Sequence, residues 1–119
     1  MTTNIIGCIA EYKFAVFAME RGLQVSFPLL NTSPYDCIVE SKTGLYKIQI
    51  KSVKKTRKNN RVFLRHADGK SYKNKDVDFF AVYFERMNGF FIFRYADVKQ
   101  SVKLDSKKYL KNFNNFALL

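Results

Sequence analysis

An α/β (α+β) fold, with a mixed central β-sheet of about five strands flanked by helices, is predicted by three features of the chain. Residues 4–22 repeat apolar side chains at helical spacing. Residues 34–39 and 46–51 alternate apolar and polar side chains around a short turn. Residues 79–84 and 89–95 are two aromatic-rich runs separated by Glu85-Arg86-Met87-Asn88. The chain has 119 residues, 47% of them hydrophobic, which is enough for one domain, 1–119, with a compact core.

The elements follow in order. Ile6, Ile9, Ala10, Phe14, Phe17 and Ala18 mark one face of a helix, and Gly22 is placed to end it at C′. Glu11 is one of only two acids in this largely apolar segment. A short strand at 23–27 and a loop from Pro28 to Pro34 lead to the first hairpin. With Ser41 and Gly44 flanking a two-residue loop, residues whose numbers sum to 85 face each other, so Asp36 lies opposite Gln49. Tyr35, Cys37, Val39, Tyr46, Ile48 and Ile50 then share an apolar face, and Asp36, Gln49 and Lys51 share the polar one. A bulge at Gly44 is the alternative, and it shifts the pairing by one residue.

Residues 52–65 read as strand, turn and strand, a two-stranded ribbon with Asn59-Asn60 at its tip. A loop over 66–75 turns at Asp68-Gly69. The aromatic runs form a second hairpin with Asn88-Gly89 at its tip; Asp97 or Ser101 begins a short turn, and Ser106 caps a helix through Phe113. The apolar end, Phe116 to Leu119, is expected to dock on the core or on a partner.

Charge narrows the function classes. The net charge is +11, and residues 47–75 hold eleven Lys and Arg against the single acid Asp68. So local a positive field suits a polyanion, and Lys54, Lys55, Arg57, Lys58, Asn59, Asn60, Arg61, Arg65, Lys70, Lys73 and Lys75 are the expected DNA-binding residues. In a ribbon lying in the major groove, Arg reads guanine, Asn reads adenine, and Lys mostly meets phosphate. The cluster is not an amphipathic helix and no apolar run can span a bilayer, so no membrane partner is expected and the protein is expected in the cytoplasm, on DNA. Cys8 and Cys37 lack the spacing of a zinc pair and sit in apolar patterns, which predicts buried free thiols. The single His66, in the basic loop, is a phosphate or water contact rather than a ligand.

A carboxylate, an amide oxygen and a lysine on neighbouring strands suit metal-assisted phosphodiester hydrolysis. Mg²⁺ takes a few oxygen ligands and keeps waters, which leaves room for a phosphate and a nucleophile. Asp36 is the anionic ligand of this set, with the Ile50 carbonyl and the Gln49 side-chain oxygen as neutral ones. Lys51 supplies positive charge where negative charge develops.

The order of parts is a helix with Glu11, then Arg21-Gly22 and a strand, then Pro34-Tyr35-Asp36-Cys37-Ile38-Val39, then Ile48-Gln49-Ile50-Lys51. It resembles the PD-(D/E)XK nuclease superfamily, in particular the branch of archaeal Holliday junction resolvases and bacterial group I intron homing endonucleases. The resemblance covers about residues 4–95. It implies a restriction-endonuclease-like core, Glu11 as the helix-borne acid and metal contact, Asp36 as the metal-binding aspartate, and Lys51 as the catalytic lysine. Gln49 departs from the usual Glu or Asp and removes one negative ligand, although some branches are similar in carrying Gln here. The implied activity is Mg²⁺-dependent, sequence-specific cleavage of double-stranded DNA by a homing endonuclease, with Mn²⁺ as a substitute ion; because one chain holds one such site and both strands must be cut, a homodimer or dimer of dimers is expected. A Holliday junction resolvase or repair nuclease is the first alternative, and a non-catalytic nucleic-acid-binding module the second.

Overall fold

The computed structural model describes residues 2–30, 32–64, 66–67, 70–71 and 76–119, of which 66–67 and 70–71 are described by backbone alone. Helix α1 (Thr3–Glu20) begins where the Thr2 hydroxyl accepts from the Ile5 amide, and it ends at Arg21 and Gly22. Gly22 has φ +79°, the left-handed conformation that glycine adopts without a Cβ penalty. The strands are β1 (Gln24–Ser26), β2 (Cys37–Ser41), β3 (Gly44–Val53), β4 (Arg61–Phe63), β5 (His66–Ala67), β6 (Lys70–Ser71), β7 (Phe79–Phe84), β8 (Gly89–Arg94) and β9 (Ser101–Lys103).

Five of them form a sheet in the order β1-β2-β3-β7-β8, with β3 and β7 parallel and the other neighbours antiparallel. This is the mixed sheet the sequence predicts. The hairpin register holds as well: Cys37 pairs with Ile48 and Ser41 with Gly44, without a one-residue shift. Strand β2 starts at Cys37, so Pro34 to Asp36 form its approach rather than part of it.

Alternation divides the core in two. On one face Phe14, Ala10 and Ala18 of α1 pack with Cys37, Val39, Ile48, Ile50, Ala81 and Ile92, and Phe116 and Leu119 of the chain end join them. The apolar end therefore docks on its own core. On the other face Phe80, Val82, Phe91 and Phe93 are covered by Val62, Leu64, Val102 and Leu104. Every residue of β7 is buried, as befits a central strand covered on both sides.

Several local expectations are corrected. Strand β4 pairs with β9, Val62 opposite Val102, and not with residues 52–58. The predicted ribbon over 52–65 is thus replaced: β3 runs on to Val53 and a turn closes with the Arg57 amide donating to the Lys54 carbonyl. Ser101 opens β9 rather than a turn, while a 3-10 turn spans Tyr95–Asp97. The segment after Ser106 is a 3-10 helix, Lys107–Asn112, with no side-chain cap; Asn112 is buried with its amide on the Ile92 carbonyl, and a bridge from Phe113 to Phe91 draws the chain out straight. Cys8 is exposed, not buried, whereas Cys37 is buried as expected.

Phe14 is fully buried and its ring lies 5.4 Å from that of Phe90 and 5.8 Å from that of Phe116. Truncating it leaves a cavity between helix, sheet and chain end. Phe14→Ala is expected to lower unfolding free energy in urea by about 3–5 kcal/mol, and a drop below about 1 kcal/mol would contradict this packing.

Candidate functional site

Asp36 is bound to β3 through both its backbone and its side chain. Its amide donates at 2.8 Å to the carbonyl of Ile48, the residue already paired with Cys37, so the entry to β2 is offset by one residue and does not continue the ladder to set Asp36 opposite Gln49 as the sequence predicts. Its Oδ2 accepts from the Ile50 amide at 2.7 Å. The carboxylate is held against the stretch that carries Gln49 and Lys51. These two alternate with Ile48 and Ile50, so they occupy the sheet face opposite α1. Asp36, Gln49 and Lys51 are all half-buried, and Ile50 is buried with its side chain in the helix-side core.

Glu11 projects from the middle of α1, half-buried, into a cavity of about 250 Å³ that Asp36 also lines, with Tyr12 and Cys8 on the helix and Phe27 and Tyr35 on the loop. Burial raises the Asp36 carboxyl above the ordinary carboxylate range, against the opposing pull of the Ile50 amide and the Lys51 charge. Burial also raises Glu11, and the negative charge of Asp36 adds to it. The fold thus brings Asp36 within electrostatic reach of both Glu11 and Lys51, and Gln49 lies between the two β3 residues whose backbones bond Asp36. Burial pushes the neighbouring Cys37 thiol far up, so this sulfur stays a protonated core group.

Two carboxylates made costly as anions by burial and by each other favour a positive ion between them. Among the described residues no three His, Cys, Asp or Glu side chains converge, so the anionic donors here number two. Two carboxylates in a recess with room for water fit a hard divalent cation.

The basic segment divides. Lys54, Lys55, Arg57, Lys58 and Asn59 are exposed on the turn after β3. The turn's backbone is pinned to the tip of the β7–β8 hairpin: the Lys55 amide donates to Glu85, and Arg86 donates to the carbonyls of Lys55 and Arg57. Arg61 is exposed on β4 and reaches Ser101 on β9, while Asn60 is half-buried with its Oδ1 shielded and without a partner among the described residues. The β4–β9 pair is the ribbon the protein has. Its outer face carries Arg61, Phe63 and Lys103, and its inner face Val62 and Val102. Lys103 and Phe63 are missed by sequence reasoning; the only trace of β9 is the three-residue alternation Ser101-Val102-Lys103. Arg65, Lys73 and Lys75, the Asp68-Gly69 turn and the side chains of His66 and Lys70 lie outside the described residues.

A helix-borne acid, an aspartate tied to the second of two antiparallel strands, and a lysine two residues past the Gln on that strand define a nuclease core. The chain belongs to the PD-(D/E)XK endonuclease family, which it matches over residues 1–116. Among solved structures it is similar to a bacterial homing endonuclease, I-Ssp6803I, with a TM-score of 0.78 and 22% identity over 99% of this chain and 93% of the other. At that identity the likeness speaks to the fold. No curated protein matches the chain.

A carboxyl raised by burial binds its proton more tightly in the folded chain than in the unfolded one, so stability falls as pH climbs from the ordinary carboxylate range through the raised value. Asp36→Asn keeps an oxygen for the Ile50 amide and removes the charge. The variant is expected to unfold at a higher temperature than wild type at pH 7 in EDTA, with the gain vanishing below the ordinary carboxylate range. A lower melting temperature at pH 7 would contradict the electrostatic reading.

Proposed function

We propose that this nuclease is a Mg²⁺-dependent, sequence-specific endonuclease of double-stranded DNA, of the homing type, acting as a homo-oligomer in the cytoplasm. The observation that carries the reading is the convergence of Glu11 and Asp36 in one recess with Lys51 acting on Asp36, beside an exposed basic turn. The name of the structural neighbour, a homing endonuclease, favours homing over junction resolution.

Glu11 and Asp36 would hold the cation, with Gln49 and the Ile50 carbonyl as neutral oxygens. When bound, the ion supplies charge stabilisation for a phosphoryl oxygen and an acidified water. Asp36, which lines the recess, is preorganised for this by the Ile50 amide, which fixes one carboxylate oxygen. Lys51, on the same sheet face as Gln49, offers positive charge to the phosphate as negative charge builds, in a half-buried setting where such charge counts for more than in water. Lys54, Lys55, Arg57 and Lys58 hold the backbone of the duplex, and Arg61, Phe63 and Lys103 on the β4–β9 ribbon meet the groove. Arg61 suits guanine edges and Phe63 the thymine methyl. One site cuts one strand, so a double-strand break needs a second copy.

The reading is tested by cleavage of plasmid, four-way junction and single-stranded RNA with Mg²⁺ and with EDTA. Linearised plasmid with Mg²⁺ alone is expected; preference for the junction would support the resolvase, and binding without cleavage the non-catalytic module. Asp36→Ala is expected to abolish cleavage while duplex binding in Ca²⁺ survives. Lys51→Ala is expected to slow cleavage by on the order of a hundredfold, and Gln49→Glu to remain active. Wild-type rates in Lys51→Ala would sink the site.

The interface has its own readout in salt. Neutral replacements at Lys54, Lys55, Arg57 and Lys58 together are expected to flatten the slope of log affinity against log salt by roughly 0.9 for every phosphate no longer neutralised. An unchanged slope would move the duplex to another surface.

A further inference from the structure

Helix α1 is apolar on two opposite faces. Ala10, Phe14 and Ala18 are buried in the core with the sheet and Ala15 is buried beside them, while Ile5, Ile9, Tyr12, Val16 and Met19 are between 38% and 63% exposed. The exposed five follow a four-three-four-three spacing, which gathers them into one narrow stripe along the helix. A helix apolar all round is one covered all round. The stripe also continues off the helix: the Tyr12 ring lies 5.8 Å from that of Phe27, and the loop beyond it exposes Leu29 at 100% and Leu30 at 70%. These eight side chains expose on the order of 900 Å², above the roughly 300–600 Å² of the largest patch on a typical monomer and close to the ~800 Å² that each partner gives up in a standard interface.

We infer that the α1 stripe and the 27–30 loop are the surface on which a second copy of this chain docks, helix against helix. Three observations select that occupant. The spacing is that of a heptad seam, which is complementary to itself and needs only another such seam to bury it. The charge on α1 and its cap is balanced, Glu11 and Glu20 against Lys13 and Arg21, in a chain of net charge +11. Two copies can therefore meet here without the repulsion their other faces would impose, and a polyanion finds nothing to hold. The other apolar candidate, the chain end, is already covered: Phe116 and Leu119 are buried within the protomer's own core.

Tyr12, Phe27 and Leu30 belong both to the docking surface and to the wall of the recess that Glu11 and Asp36 line. Docking on this face sets the partner's helix beside that wall and couples two catalytic recesses across a two-fold axis. The inference deepens the proposed double-strand cleavage, and its functional meaning rests on that reading.

Light scattering on the full chain, alone and with duplex DNA, tests the surface independently of catalysis. Wild type is expected at a dimeric or higher mass. Val16→Glu and, toward the other end of the stripe, Met19→Lys are expected to reduce that mass at least by half with unchanged far-ultraviolet circular dichroism. Leu45→Glu, at an equally exposed site on the opposite sheet face, is expected to leave it unchanged. With supercoiled plasmid and Mg²⁺, Val16→Glu is expected to nick but not to linearise. A monomeric wild type, or an assembly that both stripe variants leave intact, overturns the proposal. An assembly that Val16→Glu dissociates, with no DNA cut by wild type, upholds the surface and removes the nuclease mechanism instead.

Discussion

The bond from the Ile50 amide to the Asp36 carboxylate is the interaction on which the site depends. It ties a loop residue to the strand that pairs in parallel with β7, the most deeply buried strand of the sheet. Whatever holds β3 in place therefore holds Asp36. The position it fixes has an electrostatic cost that the bond offsets only in part, because the carboxylate is half-buried where burial disfavours its charge. Lys51 relieves part of that cost, and the Asp36 charge in turn raises the carboxyl of Glu11. A site that is unfavourable when empty of cations is a usual signature of a group retained for function rather than for stability.

Helix α1 links the remaining parts. Its inner face locks the sheet through Phe14, its flank delivers Glu11 to the recess, and its outer stripe is left for another surface. One element thereby couples core packing, the second acid and assembly. The basic turn is coupled to the sheet in a different way. Glu85 and Arg86 at the tip of the β7–β8 hairpin bond its backbone, so the exposed Lys and Arg side chains project from a fixed frame. Fixing the frame lowers the ordering cost of meeting a phosphate chain.

What is legible in the sequence is local. The β2–β3 hairpin can be read to the residue from Cys37 to Ile48 because a two-residue loop and strict alternation determine its register, whereas Asp36 just before it departs from that register and is set by its bonds to Ile48 and Ile50. Gly22 marks the end of α1 because the position needs a positive φ. The β4–β9 pairing is not legible: its partners lie some forty residues apart, and three-residue strands carry too little alternation to declare a match. Residues 52–58 look like half of a ribbon for the same reason, since strand-like composition names no partner. Cys8 reads as buried because α1 is apolar around most of its circumference, and periodicity alone cannot say which of two apolar faces meets the sheet. Resemblance supplies the role of Glu11; its neighbourhood with Asp36 is tertiary and becomes visible only in the fold.

The central claim is that Glu11 and Asp36 together hold a divalent cation. It is tested most directly by loading the protein with Fe²⁺ in place of Mg²⁺, generating hydroxyl radicals with ascorbate and peroxide, and mapping the backbone cuts by mass spectrometry. The account predicts cuts clustered around Glu11, Asp36 and residues 49–51, suppressed by excess Mg²⁺. Cuts confined to other segments, or a pattern that Mg²⁺ does not compete away, would contradict it.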